Sequence, residues 1–472
     1  MKRNQTTARL LEVLGIVAVL AAPAVAQQAP PPMHSQAYAV HTGFHDGTGD
    51  KAALAYEMNV VVRDAMWMNL RFEAADLGRG SFISLLAPKD GGYQVLDGKS
   101  LSEWNMASAF FNGNEVILQL WVAPEDSGVF VQLFDVLVGD VPDAPTESLC
   151  GTDSRVASTD NRVCRITIPG CTGWRVTNGA FLTAGHCTDV DPDAVPGNCG
   201  PLLPDGIVDL AGVVEFNVPA SNANGAINLA APNDQYPINS ASAVWRYDGC
   251  GQGLGKDWSV FAVNPNSNTG LMPHQVYGFP LRMTRSSPAV GAAIRITGFG
   301  VDDTPPGSTG GRNAQSRTNQ TSTGSYVGET GVTFLDVYQE YMTDSTGGNS
   351  GGPIIWNALN IAIGIHTNGG CNPGAGIGNL GTSFEVFALQ SAISQFTGPT
   401  VRYSDVGYPI ALVEDGTIFN PFNTFAESAI AVPAGGIVSM VSGTYSAAAG
   451  NAITVTKAMT IEAPVGTVLI GN

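Results

Sequence analysis

Glycine divides this chain into segments that are long enough for β-strands and too short for most helices. Of its 472 residues, 57 are Gly and 29 are Pro, and only 13% are charged. Short alternating or apolar runs follow one another between turns such as residues 90–92 (Asp-Gly-Gly) and 112–114 (Asn-Gly-Asn). Glycine adopts the positive φ angles of tight turns, and alternation with a period of two indicates strands. The pattern predicts an all-β protein.

The charge balance limits the partners of the chain. It has 22 Lys and Arg against 40 Asp and Glu, for a formal net charge of −18. Nucleic acids and anionic membrane surfaces attract basic proteins, so neither is expected as a partner. No apolar run reaches the roughly 18–20 residues of a membrane-spanning helix. We expect no membrane span, and we expect a monomer.

The first 26 residues have the features of a secretory signal peptide. Lys2 and Arg3 precede an apolar stretch at residues 14–22, and residues 24–26 read Ala-Val-Ala, small residues where a signal peptidase cleaves. All seven cysteines follow between Cys150 and Cys371, and none forms a CxxC pair. We expect a secreted protein, extracellular or periplasmic, with two or three disulfides and one thiol left over.

The composition changes along the chain suggest about three domains after the signal peptide. Residues 27–33 indicate a linker, and residues 27–149 as a whole predict an antiparallel β-sandwich that is either a removed pro-segment or a retained accessory domain. Residues 150–398 contain all the cysteines and end in a helical pattern at 384–396. Residues 399–472 predict a small β-rich module, either solenoid-like or docked on its neighbour. The predicted strands of the sandwich are 56–62, 68–72, 82–86, 115–122 and 129–138.

A histidine stands at the end of an apolar strand in residues 181–187 (Phe-Leu-Thr-Ala-Gly-His-Cys). His186 has a side chain suited to general-base catalysis, because imidazole titrates near neutrality. Cys187 is 16 residues after Cys171, and two antiparallel strands would bring the pair together as a disulfide. The plainer interpretation is a buried histidine beside a structural disulfide.

Glycines surround a serine in residues 347–353 (Gly-Gly-Asn-Ser-Gly-Gly-Pro). A tight turn of this kind exposes the Ser350 hydroxyl, and the N–H groups of Gly348 and Ser350 are candidates for an oxyanion-binding pair. The plainer interpretation is a flexible loop. A third patch places Asp257 at the head of an apolar strand, where a carboxylate can orient an imidazole. Asp248 and Asp209 are weaker alternatives because no such strand follows either of them.

Together these strings resemble the chymotrypsin-like serine peptidases over about residues 150–397. The resemblance implies two six-stranded β-barrels with the site in the cleft between them. It also implies His186 as base, Asp257 as the residue that orients it, and Ser350 as nucleophile. Residues 296–300 resemble the strand and turn that open the second barrel. The 71 residues between His186 and Asp257 suggest an insertion near 190–250.

Within this family, the bacterial glutamyl endopeptidases resemble the chain most. The shared strings are 347–351, 171–174 and 365–369, the last ending in Gly369. That resemblance implies that His366 binds the carboxylate of a glutamate before the scissile bond, with Ser345 and Thr367 adding hydroxyl donors. The plainer interpretation of His366 is a histidine that packs in a strand beside the pocket. Asn349 stands where trypsins have the aspartate that pairs with a freed N-terminus, which disfavours trypsin-style activation.

Asp344 supports an alternative specificity. It lies six residues before Ser350, where trypsin-like enzymes place the acid that binds Lys or Arg. The cysteine layout also resembles that of bacterial lysyl endopeptidases, although residues 376–381 lack the acid that binds lysine there. This likeness implies Cys150–Cys371 and a pairing of Cys164 with Cys199 or Cys250.

The sequence therefore predicts a secreted serine endopeptidase acting on protein and peptide substrates, with no cofactor and no required metal. Cleavage just before Cys150 would mature it from a zymogen. Asp189, Asp191 and Asp193 are a possible calcium site, although a solvated acidic loop explains them as well. The competing hypothesis is a non-catalytic surface or adhesion protein built on a decayed peptidase fold.

Overall fold

The computed structural model describes residues 32–140, 147–188, 212–247, 253–303, 312–331, 335–396, 400–409 and 412–471. Strands dominate it and its helices are short, so the all-β prediction is confirmed. Within these ranges, no helix combines the length and the apolar character needed to cross a bilayer. The expected signal peptide, the Asp189–Asp193 cluster, and Cys199, Cys250, Asp209 and Asp248 lie outside the described residues.

The N-terminal part is an antiparallel sandwich of two four-stranded sheets, as expected. Its strands are β1 (Met33–His41), β2 (Ala53–Val61), β3 (Trp67–Asp76), β4 (Phe82–Leu86), β5 (Tyr93–Leu96), β6 (Phe111–Asn112), β7 (Glu115–Val122) and β8 (Phe130–Gly139), with helix α1 (Gly98–Glu103) after β5. The sheets have the orders β1-β8-β3-β6 and β2-β7-β4-β5. Along β7, buried and half-buried residues alternate, because one face of the sheet packs on the other sheet.

The first barrel of the following domain is a closed ring of six antiparallel strands. Two short strands, β9 (Glu147–Ser148) and β10 (Val156–Ala157), precede it. Its strands are β11 (Val163–Ile166), β12 (Cys171–Arg175), β13 (Phe181–Thr183), β14 (Val213–Glu215), β15 (Gln235–Tyr247) and β16 (Asp257–Val263). They run in the order β11-β12-β13-β16-β15-β14, and β14 pairs back onto β11. Aromatic rings of Phe181, Phe216, Tyr236 and Phe261 fill the interior.

The second barrel repeats the plan. Its strands are β17 (Ala293–Gly298), β18 (Gln320–Thr330), β19 (Tyr338–Tyr341), β21 (Pro353–Trp356), β22 (Ile361–Asn368) and β23 (Asn379–Ser383), with the short β20 (Ser345–Thr346) before β21 and helix α2 (Pro273–Val276) before β17. The order β18-β17-β21-β22-β23-β19 closes through a β18–β19 pairing. The double-barrel prediction is therefore confirmed.

A shared apolar cluster joins the two barrels. Trp174 and Leu182 of the first barrel pack in it with Ile355 and Ile365 of the second. Helix α3 (Phe387–Gln395) adds Leu389 and Ile393, so the predicted helix exists and is shorter at both ends than its pattern suggested. The cleft between the barrels thus has a rigid floor, which is the condition for holding side chains of both barrels in fixed positions.

The C-terminal residues form parallel strands, the pairing found in β-solenoids. The strands are β24 (Val401–Ser404), β25 (Ile437–Met440), β26 (Gly443–Tyr445), β27 (Thr460–Glu462) and β28 (Val468–Ile470), with helix α4 (Phe425–Ala431) between the first two. The module also docks on its neighbour. Ile418 and Phe419 join the inter-barrel cluster, and Arg282 forms a two-point ion pair with the buried Asp405.

Buried amide side chains attach the sandwich to the first barrel. Gln235 is fully buried, and its side chain accepts from the N–H of Phe110 at 2.9 Å and donates to the carbonyl of Phe110 at 2.8 Å. Asn112 bonds both backbone groups of Leu229 at 2.8–3.0 Å. Leu229 belongs to the long connection between β14 and β15, which lies within the range of the expected insertion near 190–250. Each side-chain amide thus bonds backbone N–H and C=O groups that no neighbouring strand in the described ranges pairs with.

We predict that Gln235→Ala destabilises the attachment, because it leaves two buried backbone groups of Phe110 without their partner. The loss should be roughly 2–5 kcal/mol of unfolding free energy. Chemical denaturation of the full chain measures it. Gln132→Ala is the matched control, because Gln132 bonds an exposed glutamate within the sandwich. Equal stability losses in the two variants would contradict this account of the attachment.

Candidate active site

An imidazole and a carboxylate meet at the inner edge of the first barrel. His186 lies in a single 3-10 turn, Gly185–Cys187, directly after β13, and Asp257 is the first residue of the adjacent strand β16. His186 Nδ1 is 2.6 Å from one Asp257 oxygen, and the His186 N–H donates to the other at 2.9 Å. Both side chains are almost fully buried. The carboxylate therefore fixes the ring orientation and places the proton on Nδ1, which leaves Nε2 as the basic nitrogen.

A disulfide fixes this turn from the other side. Cys171, at the start of β12, is bonded to Cys187, with the two Cα atoms 6.3 Å apart. The two sulfurs and the His186 ring lie within 4.8 Å of one another, the one such group of three potential metal ligands in the described ranges. Because both sulfurs are committed to the disulfide, this group does not offer thiolate ligands to a metal ion.

The expected pairing of Cys164 with Cys199 or Cys250 was wrong. Cys164 is a free, fully buried thiol inside the first barrel, against Gly173 of the neighbouring strand. Its alternating position in β11 directs it into the barrel core, where burial raises the pKa of the thiol well above its usual range. The expected Cys150–Cys371 disulfide is present and connects the start of the peptidase-like region to the end of β22.

The serine turn packs directly against the histidine strand. The carbonyl of Ser350 accepts from the N–H of Thr172 at 2.8 Å, and Cys187 Sγ lies 3.9 Å from the same oxygen. Gly351 has φ of +88°, and a Cβ there would lie 2.1 Å from Thr183 Oγ1 and 2.9 Å from the N of Ala184. Only glycine fits this position. The turn that carries Ser350 therefore touches the backbone that leads into His186.

Two amide groups of the serine turn are held in a defined direction. The carbonyl of Gly347 accepts from the Val301 N–H at 2.9 Å, and that of Asn349 accepts from the Gly352 N–H at 2.9 Å. In a trans peptide the C=O and the following N–H point in opposite directions. The N–H groups of Gly348 and Ser350 consequently point away from these partners, and within the described ranges neither donates a hydrogen bond. Both N–H groups therefore stay candidates for the predicted oxyanion-binding pair.

The Asp344 carboxylate accepts hydrogen bonds from the backbone of residues 150–154. One oxygen accepts from the N–H of Cys150 at 2.7 Å, and the other accepts from the N–H and hydroxyl of Ser154 at 2.7 and 2.6 Å. Only 4% of the residue is exposed. The carboxylate binds the segment that precedes the first barrel, and its lone pairs are directed at these donors.

His366 is a fully buried histidine on β22 with an aromatic partner. Its Nδ1 is 2.6 Å from the hydroxyl of Tyr341, which itself donates to the carbonyl of Leu380 at 2.8 Å. The hydroxyl has one proton, so it accepts from His366 Nδ1–H. Burial, and to a lesser extent the proximity of His186, lowers the pKa of His366 to about 3. The ring is therefore neutral at physiological pH.

The other predicted specificity residues lie on β20 and on β22 or just after it. The Ser345 hydroxyl accepts from Asn379 at 2.9 Å, and the Thr367 hydroxyl donates to Asn368 at 2.7 Å. The Thr367 carbonyl lies 3.5 Å from the Ser350 hydroxyl, and Gly369 directly follows this strand. The backbone of β22 thus runs past the Ser350 hydroxyl.

Sequence reasoning missed four residues of this site. Tyr341 and Asn379 orient His366 and Ser345, Thr172 bonds the serine turn, and Arg155 lies beneath it. Thr172 belongs to a string that already matched the family, so that match was an available signal. The others are single polar residues in strands or loops, and their partners are distant in sequence. No local pattern identifies them.

Two six-stranded barrels with this pair and this turn between them form the fold of chymotrypsin-like serine peptidases. No protein-family model and no curated protein sequence matches the chain. Three similar solved structures are a Glu endopeptidase in complex with MPD, neuropsin from mouse brain, and human heparin binding protein. Their identities are 20%, 13% and 14%, and their TM-scores 0.35, 0.33 and 0.33. The alignments cover 52%, 53% and 50% of this chain and 96%, 98% and 93% of theirs.

We predict that Asp344→Asn destabilises the chain by roughly 1–3 kcal/mol, because an amide nitrogen cannot accept the bonds that one carboxylate oxygen now accepts. Urea unfolding measures the loss. Asp140→Asn is the control, since Asp140 pairs with an exposed histidine at the surface, and we expect it to stay within about 0.5 kcal/mol of the parent. An Asp344→Asn protein as stable as the parent would show that the carboxylate is not a structural anchor.

Proposed function

We propose that the protein is a secreted serine endopeptidase that works through an acyl-enzyme on Ser350. The observation that carries the proposal is the buried His186–Asp257 contact at 2.6 Å beside a serine turn whose two amide groups remain available for an anion. A structural histidine would need no such turn, and a flexible Gly/Ser loop would not be held by Thr172 and Val301. The two disulfides are consistent with export into an oxidising compartment.

The chemistry follows from these positions. Ser350 Oγ attacks the carbonyl carbon of the scissile bond while His186 Nε2 takes its proton, and Asp257 stabilises the imidazolium. The oxyanion that forms is bound by the N–H groups of Gly348 and Ser350, each contributing roughly 3 kcal/mol to the transition state. His186 then protonates the departing amine as the C–N bond breaks. Water attacks the ester in the same manner, which releases the carboxylate product and restores Ser350.

We predict that Ser350→Ala and His186→Ala each abolish casein hydrolysis and labelling by a fluorophosphonate, because they remove the nucleophile and its base. Ser287→Ala should keep both, since Ser287 is an exposed residue whose hydroxyl bonds Glu329. Labelling read by mass spectrometry gives the modified residue. If the parent chain neither hydrolyses casein nor reacts with the label, the non-catalytic adhesion hypothesis is favoured instead.

For specificity, we propose cleavage after Glu or Asp through His366. A buried imidazole that gains a proton offers a positive charge to an anionic side chain. His366 is neutral in the free protein and already donates from Nδ1 to Tyr341, so it must take up a proton on Nε2 to donate to a substrate carboxylate. The arginyl or lysyl alternative needs a carboxylate free to meet a cation, whereas the Asp344 oxygens already bind Cys150 and Ser154.

This coupling predicts a pH dependence of the preference for Glu over Gln. Because His366 has a pKa of about 3 in the free protein, each unit of pH rise lowers its protonated fraction about tenfold. The ratio of kcat/KM for matched Glu and Gln peptides should therefore fall by up to about tenfold per unit between pH 6 and 8. Effects on His186 cancel in the ratio. A ratio that stays flat, or a preference for Arg or Lys, would contradict the role of His366.

A further inference from the structure

The segment before the first barrel is attached to the serine turn at several points. Strand β9 pairs with β20, so that Ser148 lies opposite Ser345. Cys150 is bonded to Cys371, and its N–H and that of Ser154 bind Asp344. Residues 147–155 thus run alongside residues 344–346, which lead directly into the turn that carries the oxyanion-binding amides. Through these contacts, a fixed position of residues 147–155 restricts the motion of the loop beside them.

Arg155 is the innermost part of this attachment, and only 1% of its side chain is exposed. One edge of the guanidinium is held by Asp153, with Nε and an Nη at 3.0 and 2.6 Å from the two carboxylate oxygens. The other edge donates to the carbonyl of Val301 at 2.5 Å and to Thr346 Oγ1 at 2.8 Å. A planar fork bound on both edges has a fixed position.

The two groups bound by this second edge, Val301 and Thr346, are those that orient the serine turn. Val301 donates its own N–H to the carbonyl of Gly347, the bond that directs the Gly348 N–H outward. Thr346 donates its N–H to the side chain of Asn349 at 3.1 Å, and its hydroxyl donates to the Val301 carbonyl at 2.9 Å. Arg155, Val301 and Thr346 therefore form one bonded unit directly beneath Gly347–Asn349.

We propose that Arg155 is a positioning residue for the oxyanion site. Its guanidinium braces the serine turn from within the chain through its hydrogen bonds to Val301 and Thr346. The charge of the guanidinium is balanced by Asp153 and by Asp302 at 3.8 Å. The uncharged Asn349 can form no ion pair of its own. The expected effect on kcat rests on the proposed peptidase function. The expected effect on the order of the serine turn does not depend on that function. A guanidinium stays charged at all physiological pH values, so the brace does not depend on pH.

The test compares Arg155→Gln with Arg162→Gln in the full chain. Arg162 is a matched control because it makes the same two-point contact with the acid two residues before it, Asp160, and its further contact is Asn360. We expect Arg155→Gln to lower kcat roughly 10- to 100-fold with little change in KM, and to weaken binding of a peptide boronate by the same factor. Arg162→Gln should change neither by more than about twofold. Unchanged kcat and boronate affinity in Arg155→Gln would overturn the proposal.

A second readout does not depend on activity. Amide hydrogen exchange of the peptide covering 344–352 should become about tenfold faster in Arg155→Gln and stay unchanged in Arg162→Gln. If the parent chain hydrolyses nothing, the proposed function fails, and exchange still decides whether Arg155 orders the loop. Should Arg155→Gln not fold, Thr346→Val removes one partner of the guanidinium and should give the same two changes. Parental exchange and kinetics in Thr346→Val would then overturn the proposal.

Discussion

The close contact between Gly351 and the end of strand β13 is the constraint on which the rest of the site depends. A side chain at this position would collide with Thr183 and with the backbone of Ala184, so the serine turn of one barrel rests directly on the histidine strand of the other. The barrels share an apolar cluster behind this contact. The relative position of the two barrels is thereby fixed.

The site is built from buried polar groups that are held by more than one partner. Asp257 uses both oxygens on His186, Asp344 uses both on the preceding segment, and Arg155 is bound on both edges. Burial makes each unmade hydrogen bond costly, so a network of this kind has few alternative arrangements. The same burial keeps the second histidine, His366, neutral in the free protein.

The sequence was most informative where a function needs a rigid local string. The strings around His186 and Ser350, the strand headed by Asp257 and the cysteines 16 residues apart predicted groups that the structure brings to one place. Strands 82–86 and 115–122 of the sandwich match their predicted bounds, because alternation records a buried and an open face. Long-range contacts that no family resemblance implies were not predictable. Arg155 meets Thr346 across 191 positions, and no pattern near either residue indicates the other.

The free thiol of Cys164 was not predictable for a similar reason. The pairing expected for Cys164 rested on likeness alone, whereas the direction of its side chain depends on how β11 sits in the barrel. The structure of the C-terminal module was also only partly predictable. Its short rungs suggested parallel strands, but not helix α4 or the apolar residues that dock it on the barrels. Packing between modules is set by surfaces that are assembled from distant segments.

A crystal structure of the full chain with a bound peptide boronate tests the central claim most directly. The account predicts boron bonded to Ser350 Oγ and one boronate oxygen about 2.7–3.1 Å from the N–H groups of both Gly348 and Ser350. It also predicts His186 Nε2 within hydrogen-bonding distance of the adduct. A boronate bound elsewhere, or an adduct on Ser350 whose oxygens approach neither amide, would contradict the account.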